Sequence, residues 1–227
     1  MGESSGSTPS HEALAVVLQV RDGRVQVLLW QRAREPFNGA WALPGGLLGA
    51  SETLEASIRR HLAAKVDVRE LAHLEQLETR SDPARHPHRM IATAYLGLVP
   101  SHHDPAVPGD TTWHPANALP ELAFDHHAIV LAGRERLRAK LSYTNVGFAL
   151  APPRFTLSEL RAVYRAALGH DVSATNLQRV LLRRGVLEQT GESRAPGKAG
   201  GRPAALFRFR SQRLEITDQF AVLRPPR

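Results

Sequence analysis

The chain has 227 residues and no cysteine. Disulfide staples and thiolate metal sites are therefore excluded, which fits a protein of the reducing cytoplasm. It also lacks any apolar run approaching the roughly 20 residues needed to cross a bilayer, so no membrane partner is expected. The first twelve residues, Met1 to Glu12, are rich in serine and glycine and lack the apolar core of a secretory signal. They are expected to form a disordered tail. The last third lacks acid. Of the 29 Lys+Arg and 22 Asp+Glu, 14 and 6 lie from Leu150 onward, a net +8, while the preceding residues come to −1. Charge so divided points to a polyanion as the partner of the C-terminal segment.

Eleven histidines are present, but their arrangement argues against a metal centre. His86 and His88 flank a proline, His102 and His103 sit in a loop, and His126 and His127 open a helix. Neither adjacent pair has the i, i+4 spacing that puts two imidazoles on one helix face.

The length suits one large or two ordinary domains. Ala13 to Val20 and Val25 to Trp30 are apolar runs around Asp22-Gly23, a hairpin signal. A loop with Pro36, Phe37, Gly39, Trp41 and Pro44 leads to Gly45-Gly46. After that glycine turn come Glu52 and a helix bearing Arg60, with Ser51 as its expected N-cap. Leu54, Ile58 and Leu62 form a buried stripe on it. Residues 66–78 contain an extended segment ending at Glu75 to Glu78, and Met90 to Val99 is another strand. Thr79 to Arg89 and His102 to Thr112 read as loops, and a helix spans about Asp125 to Leu141. Strands alternating with helices make an α/β sandwich over residues 13–142.

The glycine turn and its helix resemble the Nudix box, G-x5-E-x7-R-E-U-x-E-E-x-G-U. Gly46, Glu52, Arg60, Leu62 and Val68 fall on it. The three helix glutamates do not: His61, Ala64 and Lys65 stand in their places, and Asp67 replaces the late glycine. Positions 61, 64 and 65 share one helix face. In Nudix hydrolases that face holds divalent metal, which polarises a diphosphate for attack by water. Mg²⁺ needs carboxylates, and a lysine about 4 Å from the ion costs roughly 2 kcal/mol in water and roughly 8 at an effective dielectric of 20. The expectation is a Nudix-like scaffold with no catalytic residue, no metal and no enzyme activity. Binding is what remains. Arg32, Arg60, Arg80 and Arg89 are candidates for gripping a diphosphate, and Phe37 and Trp41 for stacking on the base or covering the ribose. Against this, Arg60 could pair structurally with Glu52, Trp41 could be core, and Arg80 and Arg89 could be solvated.

Tyr143 to Pro153 reads as a linker, marked by Asn145, Gly147 and Pro152-Pro153. Residues 154–227 then form a second domain. Thr156 and Glu159 make a capping box, with Phe155 and Leu160 as its staple. Gly169 ends that helix, Ser173 caps the next, and Leu177, Val180 and Leu181 form the latter's buried stripe. Asn176, Arg179 and Arg183 lie on another face, with Arg184 beside them. A strand over 186–190, a basic Gly-rich loop over 191–201 holding Arg194 and Lys198, and a strand from Arg202 to Phe209 complete a winged helix-turn-helix. The second helix suits the major groove, where Asn pairs with adenine and Arg with guanine, and the wing suits phosphates. The candidate DNA contacts are Ser173, Thr175, Asn176, Arg179, Arg183, Arg184, Lys198 and Arg202.

With Glu75-Gln76-Leu77, Leu122 to His126, Phe155 to Leu160 and Gly201 to Ala204 added, the chain from about Ala13 to Arg210 resembles the NrtR family, Nudix-related transcriptional regulators of NAD metabolism. The resemblance implies a homodimer that represses NAD biosynthesis or salvage genes on operator DNA. It also implies release by ADP-ribose or a related nucleotide, an effector rather than a cofactor. Two readings compete: an active ADP-ribose pyrophosphohydrolase with a DNA-binding appendage, and a constitutive DNA-binding protein that uses the Nudix fold only to dimerise. In the favoured reading, nucleotide moves or locks the 143–153 linker and spoils the spacing of the half-sites.

Overall fold

The computed structural model describes residues 8–195 and 203–218. Its first part contains β1 (Ser10–Arg21), β2 (Arg24–Gln31), β3 (Trp41–Ala42), β4 (Gly45–Leu47), α1 (Leu54–Val66), β5 (His73–Arg80), β6 (Met90–Leu98), β7 (Thr111–Pro115) and α2 (His126–Tyr143). The second part contains β8 (Phe155–Thr156), α3 (Leu157–Leu168), α4 (Ala174–Arg183), β9 (Leu187–Arg194) and β10 (Ala204–Phe209). The expected order, an α/β Nudix sandwich followed by a winged helix-turn-helix, is borne out.

β1 is the strand around which the first part is built. It turns into β2 through Asp22 and Gly23, both at positive φ, and runs parallel to β6 from Ser10↔Met90 to Leu18↔Leu98. Its side chains alternate between two cores, as strand geometry requires. Ala13, Ala15 and Val17 meet Ile58, Leu62 and Val66 of α1. Leu14, Val16 and Leu18 face the other way, into the cluster containing Ile129 and Leu137 of α2 and Val163 and Tyr164 of α3. A strand buried on both faces explains the unbroken apolar run in its sequence.

Four expectations need correction. The tail ends earlier than Glu12: Ser10, His11 and Glu12 already belong to β1, where His11 Nε2 lies 2.8 Å from Thr93 Oγ1. Thr53, not Ser51, caps α1, its hydroxyl accepting the Ala56 N–H at 3.2 Å. Thr111–Pro115 is a strand paired with β2, where the loop expected over His102 to Thr112 would already have taken in Thr111 and Thr112. Finally, residues 143–153 are not a linker in the structural sense. α2 runs on to Tyr143 and a 3₁₀ turn follows at Val146–Ala149. Val146, Phe148, Ala149, Leu150 and Ala151 are buried in the cluster both parts share. Asn145, Gly147 and the prolines mark turn chemistry correctly, but the apolar residues between them had to be buried.

This joint is also strapped from the C-terminal side. The Asn145 amide donates to Arg213 O and accepts from Glu215 N–H, both at 2.8 Å. The N–H groups of Thr217 and Asp218 donate to Tyr143 O at 2.9 and 3.1 Å.

The winged half follows its sequence signals closely. Thr156 and Glu159 form the capping box, and Gly169, at φ 78°, closes α3. β8, β10 and β9 make a three-stranded sheet. β9 extends to Arg194, beyond the strand expected over 186–190.

Candidate functional sites

Of the box glycines, Gly46 sits hard against α1. A Cβ added to Gly46 would lie 2.5 Å from His61 Cε1. His61 is buried, its Nε2 3.0 Å from Leu47 O. Burial, with Arg60 and Lys65 nearby, lowers its pKa and keeps the ring neutral. Lys65 Nζ donates to Gly45 O at 2.6 Å and lies 4.5 Å above the Trp30 ring. Burial lowers its pKa, and Arg32, Arg34 and Arg60 push the same way against Glu12. An imidazole and an ammonium thus hold the loop carbonyls. The single box carboxylate, Glu52, is already committed. It accepts the Gly49 N–H at 2.7 Å and Arg60 Nε at 2.9 Å. The hydrogen bond from Arg60 brings its pKa down to about 2. Imidazole, methyl and ammonium do not fit a Mg²⁺ shell. Among the described residues no group of three or more His, Asp or Glu is placed to hold a metal ion.

Beside the box opens a cleft of about 630 Å³, lined by Phe37, Ala84, Arg85, His86, Phe124 and Asp125 among others. Phe37, exposed and at φ 67°, meets the edge of Phe124 at 4.8 Å, and His86 stacks on Phe124 at 4.8 Å. The Arg32 guanidinium lies 4.7 Å from the Phe124 ring centre, its Nε donating to Pro36 O at 2.9 Å. Burial lowers the Arg32 pKa, with Glu12 and Glu35 opposing.

The structure therefore brings Arg32 and Phe37 together at a ring-lined cleft. The other four sequence candidates are engaged elsewhere. Trp41 is half-buried in β3 against His114, ring centres 4.5 Å apart. Arg60 is paired with Glu52. Arg80 pairs with Glu78 at 2.7 Å, and Arg89 donates to Ser81 O at 2.8 Å.

Sequence reasoning missed Arg85, Phe124 and His86. The Arg85 side chain is only 2% exposed. It forks onto Asp125 at 2.9 and 3.1 Å and reaches Glu12 at 2.9 Å. Burial works against its charge, but the two carboxylates outweigh it and its pKa is raised. It ties the start of β1 and the 81–89 loop to the N-terminus of α2. No local pattern announces it, since its partners are 73 and 40 residues away.

On α4, Leu177 and Leu181 are buried while Thr175, Asn176, Arg179 and Arg183 are exposed. Ser173 caps the helix. Arg179 Nη2 donates to Asn176 Oδ1 at 2.9 Å, so the two form one polar unit. Arg184 is a correction. It is half-buried, donating to Ser142 O at 2.8 Å and to Asp218 Oδ2 at 2.7 Å. As the helix C-cap it turns back onto α2 rather than out toward a ligand. Arg194 pairs with Glu159 of α3. Lys198 and Arg202 lie outside the described residues.

Comparison with known proteins agrees with this two-part architecture. The NUDIX domain family matches residues 9–132, and the NrtR DNA-binding winged helix domain matches residues 147–209. The chain is 34% identical over 209 residues to the ADPR responsive transcriptional repressor NtrR of Acinetobacter baylyi, covering 86% of this chain and 80% of that one. It is 30% identical over 131 residues to an ADP-ribose pyrophosphatase of Methanocaldococcus jannaschii, covering 53% and 72%. Shewanella oneidensis NrtR, crystallised with a 27mer DNA, superposes with a TM-score of 0.76 at 33% identity, covering 88% of this chain and 93% of that one. The Nudix domain of the same Shewanella protein, crystallised with ADP ribose, gives 0.52 at 32% identity over 60% and 94%. This chain belongs to the NrtR family, a Nudix domain joined to a DNA-binding winged helix.

Proposed function

We propose that this protein is an ADP-ribose-responsive transcriptional repressor of NAD biosynthesis or salvage genes, acting as a homodimer, with a Nudix domain that senses its nucleotide without cleaving it. One observation carries the reading. An exposed Asn176–Arg179–Arg183 face is joined through a buried segment to a Nudix domain whose box face holds His61 and Lys65 instead of carboxylates. Support for the effector comes from the Shewanella relative bound to ADP ribose and the Acinetobacter relative named for its response to it.

Arg32, its guanidinium against the Phe124 ring of the cleft, is the candidate for a diphosphate, because among the described residues it donates to a carbonyl and to no carboxylate. Phe37, Phe124 and His86 offer ring faces to a base or ribose. Arg85, already saturated by Glu12 and Asp125, positions the cleft rather than gripping the ligand. Asn176 and Arg179 suit base edges, and Arg183 a base or a phosphate. Two such heads related by a twofold read a palindrome.

Coupling between the sites runs along α2. This 18-residue helix follows its N-cap Asp125, which Arg85 grips beside the cleft, and ends where Ser142 O meets Arg184 of α4. At 1.5 Å per residue it is a rod of roughly 27 Å. The buried joint replaces the flexible linker of the sequence reading. Nucleotide would act by favouring one placement of α2, since only differential affinity shifts an equilibrium.

The test is a gel shift of the full chain on a palindromic operator with and without ADP-ribose. The reading expects the complex to be lost as ADP-ribose is added, with ADP-ribose recovered intact. Unchanged binding would leave a constitutive DNA-binding protein. Phosphate-ester product formed at about 1 s⁻¹ with Mg²⁺ or Mn²⁺, an ordinary enzymatic rate, would leave a hydrolase.

A further inference from the structure

A second cleft, of about 510 Å³, lies where the Nudix hairpin, α2 and the end of α3 meet. Arg24 enters it from the β1–β2 turn, Arg134 and Arg138 from α2, and Arg165 from α3. Among the described residues Asp171 is the one acid on its lining, and both its oxygens are already bound by Arg161 Nη2 at 2.8 Å.

The four arginines are unequally satisfied. Arg138 pairs with Glu135 at 2.6 Å and lies against the C-terminal end of α3. There a Cβ on Gly169 would stand 2.7 Å from its Nη2. Arg134 donates to Ala116 O at 2.8 Å, and its pKa is lowered by burial and then by Arg138. The guanidinium groups of Arg24 and Arg165 are exposed and have no hydrogen bond or ion pair among the described residues. Like charge gathered from three separate elements is unfavourable unless an anion sits between them. The cleft is of the size that takes a small ligand and is walled by elements of both domains.

We propose that this cleft is a second anion site, distinct from the box-side cleft, which takes a small molecule bearing a diphosphate or triphosphate group. Arg24 and Arg165 hold the phosphates from opposite domains, with Arg138 between them. A bound polyphosphate cross-links the hairpin turn to α3 and holds the DNA-binding head in one placement on the Nudix domain.

Inorganic pyrophosphate is the probe, titrated calorimetrically into the full-length protein at physiological salt. Saturable binding is expected, with a rise in melting temperature because ligand binds only the folded state. Arg24→Ala/Arg165→Ala should weaken pyrophosphate about tenfold or more, one decade being 1.4 kcal/mol. It should leave the ligand-free melting temperature and the ADP-ribose affinity unchanged. Pyrophosphate that fails to saturate, or binds the double variant as well as the parent, overturns the proposal. So does a variant whose operator affinity has a shallower salt slope while the parent takes up no pyrophosphate, for the cleft would then face the DNA backbone.

Discussion

Arg85→Ala is expected to be the most damaging single substitution near the box-side cleft. The arginine is 2% exposed and Glu12 and Asp125 are 17% and 23% exposed. Removing one member of a buried ion network costs about 3–5 kcal/mol, mostly through the charges left behind. Because both carboxylates keep some water, about 2–4 kcal/mol is the better figure here. For a chain of this size each kcal/mol shifts the melting temperature by roughly 2–4 °C, so calorimetry should read a fall of roughly 4–16 °C. Arg85→Lys should fall between parent and alanine, since an ammonium cannot fork onto one carboxylate while reaching a second. Orphaned charge also makes a reciprocal prediction. Arg85→Met should lose nearly as much as alanine, whereas Arg85→Met with Glu12→Gln and Asp125→Asn should recover most of it. A triple variant no more stable than Arg85→Met would refute the electrostatic account. An alanine variant melting within about 1 °C of the parent would refute the network's importance altogether.

Three further outcomes are expected. Gly46→Ala should destabilise by about 1–3 kcal/mol, because its Cβ meets His61 at 2.5 Å; adding His61→Ala should restore much of it in a double-mutant cycle. Burial holds His126 neutral, its pKa lowered from 6.5 to about 3. The unfolded chain therefore binds the extra proton first, so this contribution is full above pH 6.5 and is lost as pH falls toward about 3. Urea unfolding across that window should show a slope that His126→Asn reduces. Arg179→Ala should weaken operator binding by about 1–3 kcal/mol and relax base preference. Arg184→Ala should instead lower the melting temperature, because Arg184 holds Ser142 and Asp218; fluorescence anisotropy and calorimetry separate the two.

What the sequence made legible was local. The capping box at Thr156, the cap at Ser173 and the β1–β2 turn each depend on neighbours within a few residues, and each stands as read. The box was recognisable for the same reason. Arg184 was misplaced because helical spacing assigns a face, but the last turn of α4 bends its side chain onto a chain segment 42 residues away. Arg85 was passed over because a Pro- and His-rich loop reads as solvent-facing, and its burial is decided by two distant acids. Trp41 could not be assigned between ring stacking and core until β3 brought it to His114.

The apolar plate formed by Val146, Phe148, Ala149, Leu150 and Ala151 sets a rule for how the molecule can be cut and how it can move. Severing the chain after α2 would bare that plate to water on the reading head, so a head expressed by itself should self-associate unless these positions are made polar. The same residues forbid a wide swing. Whatever the effector does, the head must slide on its seat by small displacements, keeping the plate covered throughout.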